Sequence, residues 1–166
     1  MRNTTIRTAT PADIEAILSL WIELVREQQA FGTRIKAVEN RTVAKKWTAD
    51  LIARDRILVA DLAEAIVGFV SFEIEHDRFE RTVTTGVIHN LVVEEEHRNA
   101  GIGSQLLQRA ESHLGADGAD RIRLEAMADN SKATRFYHDH GYRTHRITLA
   151  KSVEQIDTHN IPDPEG

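Results

Sequence analysis

One stretch limits the folds open to this chain more than any other. Residues 86–93, Gly-Val-Ile-His-Asn-Leu-Val-Val, make an apolar run of strand length. After Glu94-Glu95-Glu96-His97 comes Arg98-Asn99-Ala100-Gly101-Ile102-Gly103-Ser104, and Ile102, Leu106, Leu107, Ala110 and Leu114 then recur at helical spacing. A strand that passes through glycines into an amphipathic helix requires a sheet with that helix laid back across it. The glycines let the backbone turn sharply and leave no side chain over the amides. Amides at a helix start lack intrahelical acceptors and have the helix dipole behind them. The segment therefore reads either as an anion cradle suited to a pyrophosphate or as a plain glycine-rich turn. Two other phosphate motifs are excluded. The dinucleotide fingerprint G-x-G-x-x-G meets Leu106 where its third small residue belongs, and no Gly-Lys-Ser/Thr of a P-loop occurs.

The rest of the chain alternates between strand and helix patterns. Thr4–Arg7 is a short strand that runs into Thr10-Pro11-Ala12-Asp13, a helix start with Pro at its first position. Ile14, Ile17, Leu18, Trp21, Leu24 and Val25 give that helix one apolar face, and a second helix is expected over Glu39–Ala53. Ile57–Asp61 and Ala65–Glu75 read as two strands joined by a tight turn, and His76–Thr84 as a loop. Beyond the helix that begins at Ile102, Gly115–Asp120 is a break and Arg121–Met127 a strand. Asn130 and Ser131 start a short helix carrying Ala133, Phe136 and Tyr137, ended by Gly141. Tyr142–Lys151 alternates and is expected to close the sheet. The order β-α-α-β-β-β-α-β-α-β describes an α/β (α+β) fold whose mixed sheet has helices on both faces.

Composition narrows the function. A chain of 166 residues with 41% hydrophobic residues is one domain by default, expected over residues 1–153 with a polar tail at 154–166. Its net charge of −5 argues against a nucleic-acid or anionic-membrane partner. With no cysteine, disulfides, cysteine-zinc sites, iron–sulfur clusters and thiol nucleophiles are excluded. No apolar run approaches the roughly 20 residues of a membrane span, and the N-terminus has no signal-peptide core. A cytoplasmic location is the expectation. His138, His140 and His145 match no ligand spacing of a known metal motif, so no metal is expected.

The second informative segment is Asn130-Ser131-Lys132-Ala133-Thr134-Arg135-Phe136-Tyr137, ending in Gly141-Tyr142. Alone it is a capped helix with an aromatic face. Taken together, R-x-x-G-x-G after an apolar strand and N-x-x-A-x-x-F-Y-x-x-x-G-Y across one intervening strand resemble the GNAT superfamily of acetyl-CoA-dependent N-acetyltransferases. The resemblance covers nearly the whole chain and implies a mostly antiparallel sheet of six to seven strands. It further implies that backbone groups of Leu91, Val92 and Val93 pair with the pantetheine arm. The amides of Asn99, Ala100, Gly101, Ile102, Gly103 and Ser104 would hold the pyrophosphate, with Arg98 at the start of the loop. Asn130 and Ala133 would lie along the cofactor, and Tyr137 near the thioester sulfur as general acid. Lys132 and Arg135 could meet the 3′-phosphate, or be plain solvated surface.

The chemistry implied is direct transfer of acetyl from acetyl-CoA to a primary amine in a ternary complex. That reaction needs a neutral amine, an oxyanion site and a proton for the leaving thiolate. A lysine amine is neutral in roughly 1 molecule in 2,500 at pH 7 and an α-amine in roughly 1 in 7, so the need for a base depends on the acceptor. Four groups are candidates. Glu125 stands five residues before Asn130, similar to the glutamate of ribosomal-protein alanine N-acetyltransferases. His89 has a suitable ordinary pKa, and Glu73 or Glu75 are weaker choices. The acceptor is either a small amine or a protein or peptide α-amine. The competing expectation is a non-catalytic CoA-binding, sensor or interaction domain. Exposed strand ends would suit a homodimer.

Overall fold

The computed structural model describes residues 3–76 and 78–155. The chain groups into two compact units, the first ending at Ser131 and the second beginning at Lys132. In the first, β1 (Thr5–Thr8), β2 (Ile57–Leu62), β3 (Ala65–Ile74), β4 (Thr85–Val93) and β5 (Arg121–Leu124) form one sheet in the order β1-β2-β3-β4-β5. All neighbours are antiparallel except β4 and β5, which run parallel. Helices α1 (Ile14–Gln29), α2 (Arg41–Ala53) and α3 (Ile102–Ala116) cover it.

The two faces of the sheet are filled by alternate residues of each strand. Ile57, Val59, Phe69 and Val92 pack with Ile17, Leu20, Leu51 and Ile52, which puts α1 and α2 on that side. The opposite face takes α3, whose Leu106, Leu107, Ala110 and Leu114 are fully buried. Gly68 shows how closely α3 sits. A Cβ there would lie 2.7 Å from the Val92 carbonyl oxygen and 3.3 Å from Leu106 Cδ1. The helices on both faces are as expected.

Thr10 and Asp13 open the first helix as a capping box, with the Thr10 amide donating to Asp13 Oδ2 at 2.8 Å. Arg7 grips both carboxylate oxygens of Asp13, at 2.8 and 2.9 Å, and reaches Asp61 at 3.1 Å. Strand β1, helix start and β2 are thereby joined at one point. The second helix starts at Arg41 rather than Glu39, because 37–40 form turns with the Asn40 side chain donating back to the Lys36 carbonyl.

The second unit holds α4 (Ser131–Asp139) from Lys132 onward, and the helix is closed by Gly141 at φ +91°. The Gly141 amide bonds to His138 and the Tyr142 amide to Tyr137, a Schellman closure. The expected strand Tyr142–Lys151 does not form. Residues 143–150 carry no regular structure and are exposed, Ile147 at 77% and Leu149 at 89%. Period-two alternation becomes a strand only beside a partner edge, and the described residues of this unit contain no second strand. The sheet thus has five strands where six to seven were expected. Most of the expected polar tail, from residue 156 onward, lies outside the described residues. Among the described residues, no helix is long and apolar enough to cross a membrane.

Candidate active site

The site is built where β4 changes character. Its pairing with β3 runs Val87 to Glu73 and Ile88 to Phe72, then skips one residue and resumes with Asn90 to Ser71, leaving His89 as a bulge. A regular strand sends consecutive side chains to opposite faces. The extra residue instead turns His89 and Asn90 together toward α1 and α2, where both line a cavity of about 760 Å³. His89 Nε2 lies 2.7 Å from Glu73 Oε2, and the Trp47 ring meets its imidazole edge-on at 5.4 Å between centroids. Asn90 donates to Ser71 Oγ at 3.0 Å. Glu73 is also contacted by Arg54 at 3.4 Å. The histidine is therefore oriented by a carboxylate on one side and an aromatic wall on the other.

Parallel pairing of β4 with β5 ends at Ile88 and Leu124, while β4 continues to Val93. The Glu94 amide bonds to the Val67 carbonyl, so Val92 and Asn90 also bond toward β3, and the alternating ladder turns the N–H and C=O of Leu91 and Val93 outward. No other strand covers this edge among the described residues of the first unit. The outward Val93 carbonyl is met by Arg98, whose Nε donates to it at 2.8 Å while Nη2 holds Glu27 at 2.7 Å. Arg98 thus staples the start of the loop to β4 and α1.

The loop reaches α3 through two left-handed residues, Asn99 at φ +60° and Gly101 at φ +83°. A Cβ at Gly101 would meet nothing within 4 Å, so backbone strain alone favours glycine there. Asn99, Ala100 and Gly101 are exposed, and Ile102 anchors the helix start in the core. The first amides of α3 have no intrahelical acceptor.

The remaining expected residues fall elsewhere. Glu125 follows β5 with its side chain 90% exposed, 3.3 Å from Arg123. It does not line the cavity. Glu75 holds the same Arg123 at 2.8 Å. Asn130 closes a turn with its amide on the Met127 carbonyl at 2.9 Å. In the second unit, Ala133 and Tyr137 are half-buried on α4, and the Tyr137 ring meets Phe136 and Tyr142 edge-on at 5.3 and 5.9 Å. Desolvation pushes the Tyr137 phenol up to about 12. Trp21 and Trp47 pack against the core as expected, and also form the wall of the cavity. Arg34 and Lys36 line it from the α1–α2 link. The family resemblance implies an acceptor cleft at Gln28–Ile35 in that link, but sequence reasoning singled out neither cation.

The family model of the Acetyltransferase (GNAT) family matches residues 21–142. An uncharacterized N-acetyltransferase from Archaeoglobus fulgidus is 29% identical over 135 residues, covering 80% of this chain and 88% of the relative. Two solved structures share the fold. An aminoglycoside N-acetyltransferase in complex with CoA superposes with TM-score 0.71 at 14% identity, over 92% of this chain and 97% of its own. A transcriptional regulator from Bacillus halodurans gives 0.72 at 24% identity, over 90% and 99%. The family match spans the bulged strand, the open edge and the glycine turn alike, and the chain belongs to the GNAT family of acetyltransferases.

Proposed function

We propose that this chain is an N-acetyltransferase that moves the acetyl group of acetyl-CoA directly to a primary amine within a ternary complex. The observation that carries the reading is the open edge of β4 past Ile88, running into a turn whose residues Asn99, Ala100 and Gly101 are exposed at the start of α3. The N–H and C=O of Leu91 and the N–H of Val93 offer that edge to an amide-bearing arm as a strand would. The Val93 carbonyl is held by Arg98, and Val92, expected to pair with the arm, bonds toward β3 instead. The turn and the start of α3, from Asn99 to Ser104, suit a diphosphate. Arg98 orders the loop that presents them, and Asn130 and Ala133 belong to the cofactor side on the strength of the family pattern.

His89 is the best-placed base, since it lines the cavity and Glu73 fixes its ring. It takes the proton from the incoming amine as nitrogen attacks the thioester carbonyl carbon. Amides of the bulged strand suit the charge that develops on the carbonyl oxygen. As the carbon–sulfur bond breaks the thiolate takes up a proton, a role that falls to Tyr137 on the strength of the family pattern. Glu125, exposed and paired with Arg123, is better placed to orient that arginine than to serve as base.

Calorimetry with acetyl-CoA, followed by thiol release against a panel of amines and N-terminal peptides, tests the reading. Gly103→Glu should abolish acetyl-CoA binding by putting a carboxylate into the cradle. Unchanged affinity in that variant would refute the pyrophosphate site. Binding without release for any acceptor would favour the sensor alternative.

A further inference from the structure

The cavity carries a charge pattern that amine acetylation does not itself require. Arg34 and Lys36 line it, and no carboxylate does. The chain as a whole has 26 acidic against 21 basic residues, so this wall runs against the overall balance. Other cations of the first unit are already engaged. Arg41 and Lys45 meet Glu15, Arg54 meets Asp50 and Glu73, Arg56 meets Asp117, and Arg98 meets Glu27. Arg34 and Lys36 form no ion pair among the described residues. Glu73, the carboxylate beside the lining, is engaged by His89 and Arg54.

The link that carries the two cations is ordered. Ala37 is buried at its centre. Gln29 Nε2 donates to the Ile35 carbonyl at 3.4 Å, and Asn40 Nδ2 to the Lys36 carbonyl at 2.8 Å. Trp21, Val43 and Trp47 supply an apolar wall to the same cavity, and His89 is its polar end on β4. A free amine is itself a cation near neutral pH. Two unpaired cations repel an acceptor that carries only positive charge and attract one that also carries an anion.

We propose that the acceptor is a small primary amine bearing an anionic group, a carboxylate or phosphate monoester, that Arg34 and Lys36 recognise. Its apolar body lies against Trp21, Val43 and Trp47, with its amine toward His89. This deepens the reading above and rests on it for the assignment of the His89 end as the reacting end.

The test uses three acceptors built on one arylalkylamine body, ending in a carboxylate, a phosphate monoester or a neutral carboxamide. Binding is measured by calorimetry on the full chain, with and without CoA. At least one anionic acceptor should bind about tenfold or more tightly than the carboxamide, and the carboxylate and phosphate arms identify which anion. The preference should collapse toward unity in Arg34→Ala/Lys36→Ala and reverse in Arg34→Glu/Lys36→Glu. Equal affinity for all three acceptors overturns the proposal, as does a preference that survives the double substitution. Thiol release in the same samples reports on the transfer separately. Equal acetylation of the carboxamide upholds the transferase and overturns the anionic acceptor. Selective binding without release upholds the anion site and overturns the transferase. Acetylation confined to peptide N-termini, with no binding of the small anionic amines, overturns the proposal as well.

Discussion

Held edge-on between Phe136 and Tyr142, the Tyr137 phenol is pushed up to about 12 and stays protonated well above neutral pH. Tyr137→Phe should lower turnover about a hundredfold or more while leaving acetyl-CoA affinity nearly intact. The rate profile of the unaltered chain should show no fall as pH reaches 10, where an ordinary phenol is already half ionised. Asp13 is perturbed in the other direction. The Arg7 guanidinium holds its carboxyl below the usual carboxylate range, aided by the Thr10 amide. A native pKa below the unfolded one gives stability that is present above about pH 4 and lost on acidification. Asp13→Asn should cost about 1–3 kcal/mol in urea unfolding at pH 7, discounted from a fully buried pair because Arg7 is partly exposed. The loss should shrink when both proteins are unfolded below pH 3, and a constant difference would mean that packing rather than charge is responsible.

At the level of elements, the β2–β3 hairpin turns through Ala63 at φ +53° and Glu64 at φ +69°, and Asp61 Oδ1 accepts the Glu64 amide at 2.9 Å. Two successive positive φ values match the right-handed twist of the strands but strain both side chains. Glu64→Gly should therefore stabilise the fold by about 0.5–1 kcal/mol, read as a higher urea midpoint with an unchanged slope. Strands and helices with a strong period were legible in the sequence. The Gly86–Val93 run, the α3 stripe and the Thr10–Asp13 helix start all stand where their patterns put them. The bulge at His89 was not, because HNLVV fits a regular alternation equally well and only pairing with β3 reveals the extra residue. Tyr142–Lys151 fails in the opposite sense. Its alternation is real, but a ladder needs a neighbour that the sequence pattern does not encode.

Across the whole molecule, the cofactor side as proposed was readable in the sequence because one contiguous segment, Leu91–Ser104, would carry its backbone groups. On the acceptor side only the α1–α2 link was, not the residues that face each other across it. Arg34 and Lys36 meet His89 at one cavity only through the packing of α1 and α2 on the sheet. If acetyl-CoA binds only the folded chain, concentrations near 100 times its Kd should add about 2.7 kcal/mol of stability. For a chain of 166 residues this corresponds to a rise of roughly 5–10 °C in Tm, and scanning calorimetry should find it absent in Gly103→Glu. The bulge sets a further constraint on how such a chain can change over time. Strand β4 is written in two phases that meet at His89, one that fits Val87 to the sheet and another that seats Val92 in the core. Exchanging the side chain at position 89 leaves both phases intact and can retune chemistry. Deleting that one residue would make the pairing with β3 continuous and leave Val92 opposite Phe69, at the cost of the bulge that brings His89 and Asn90 together at the cavity. The fold of this strand is therefore indifferent to position 89 in identity and in length alike, and only the cavity depends on it.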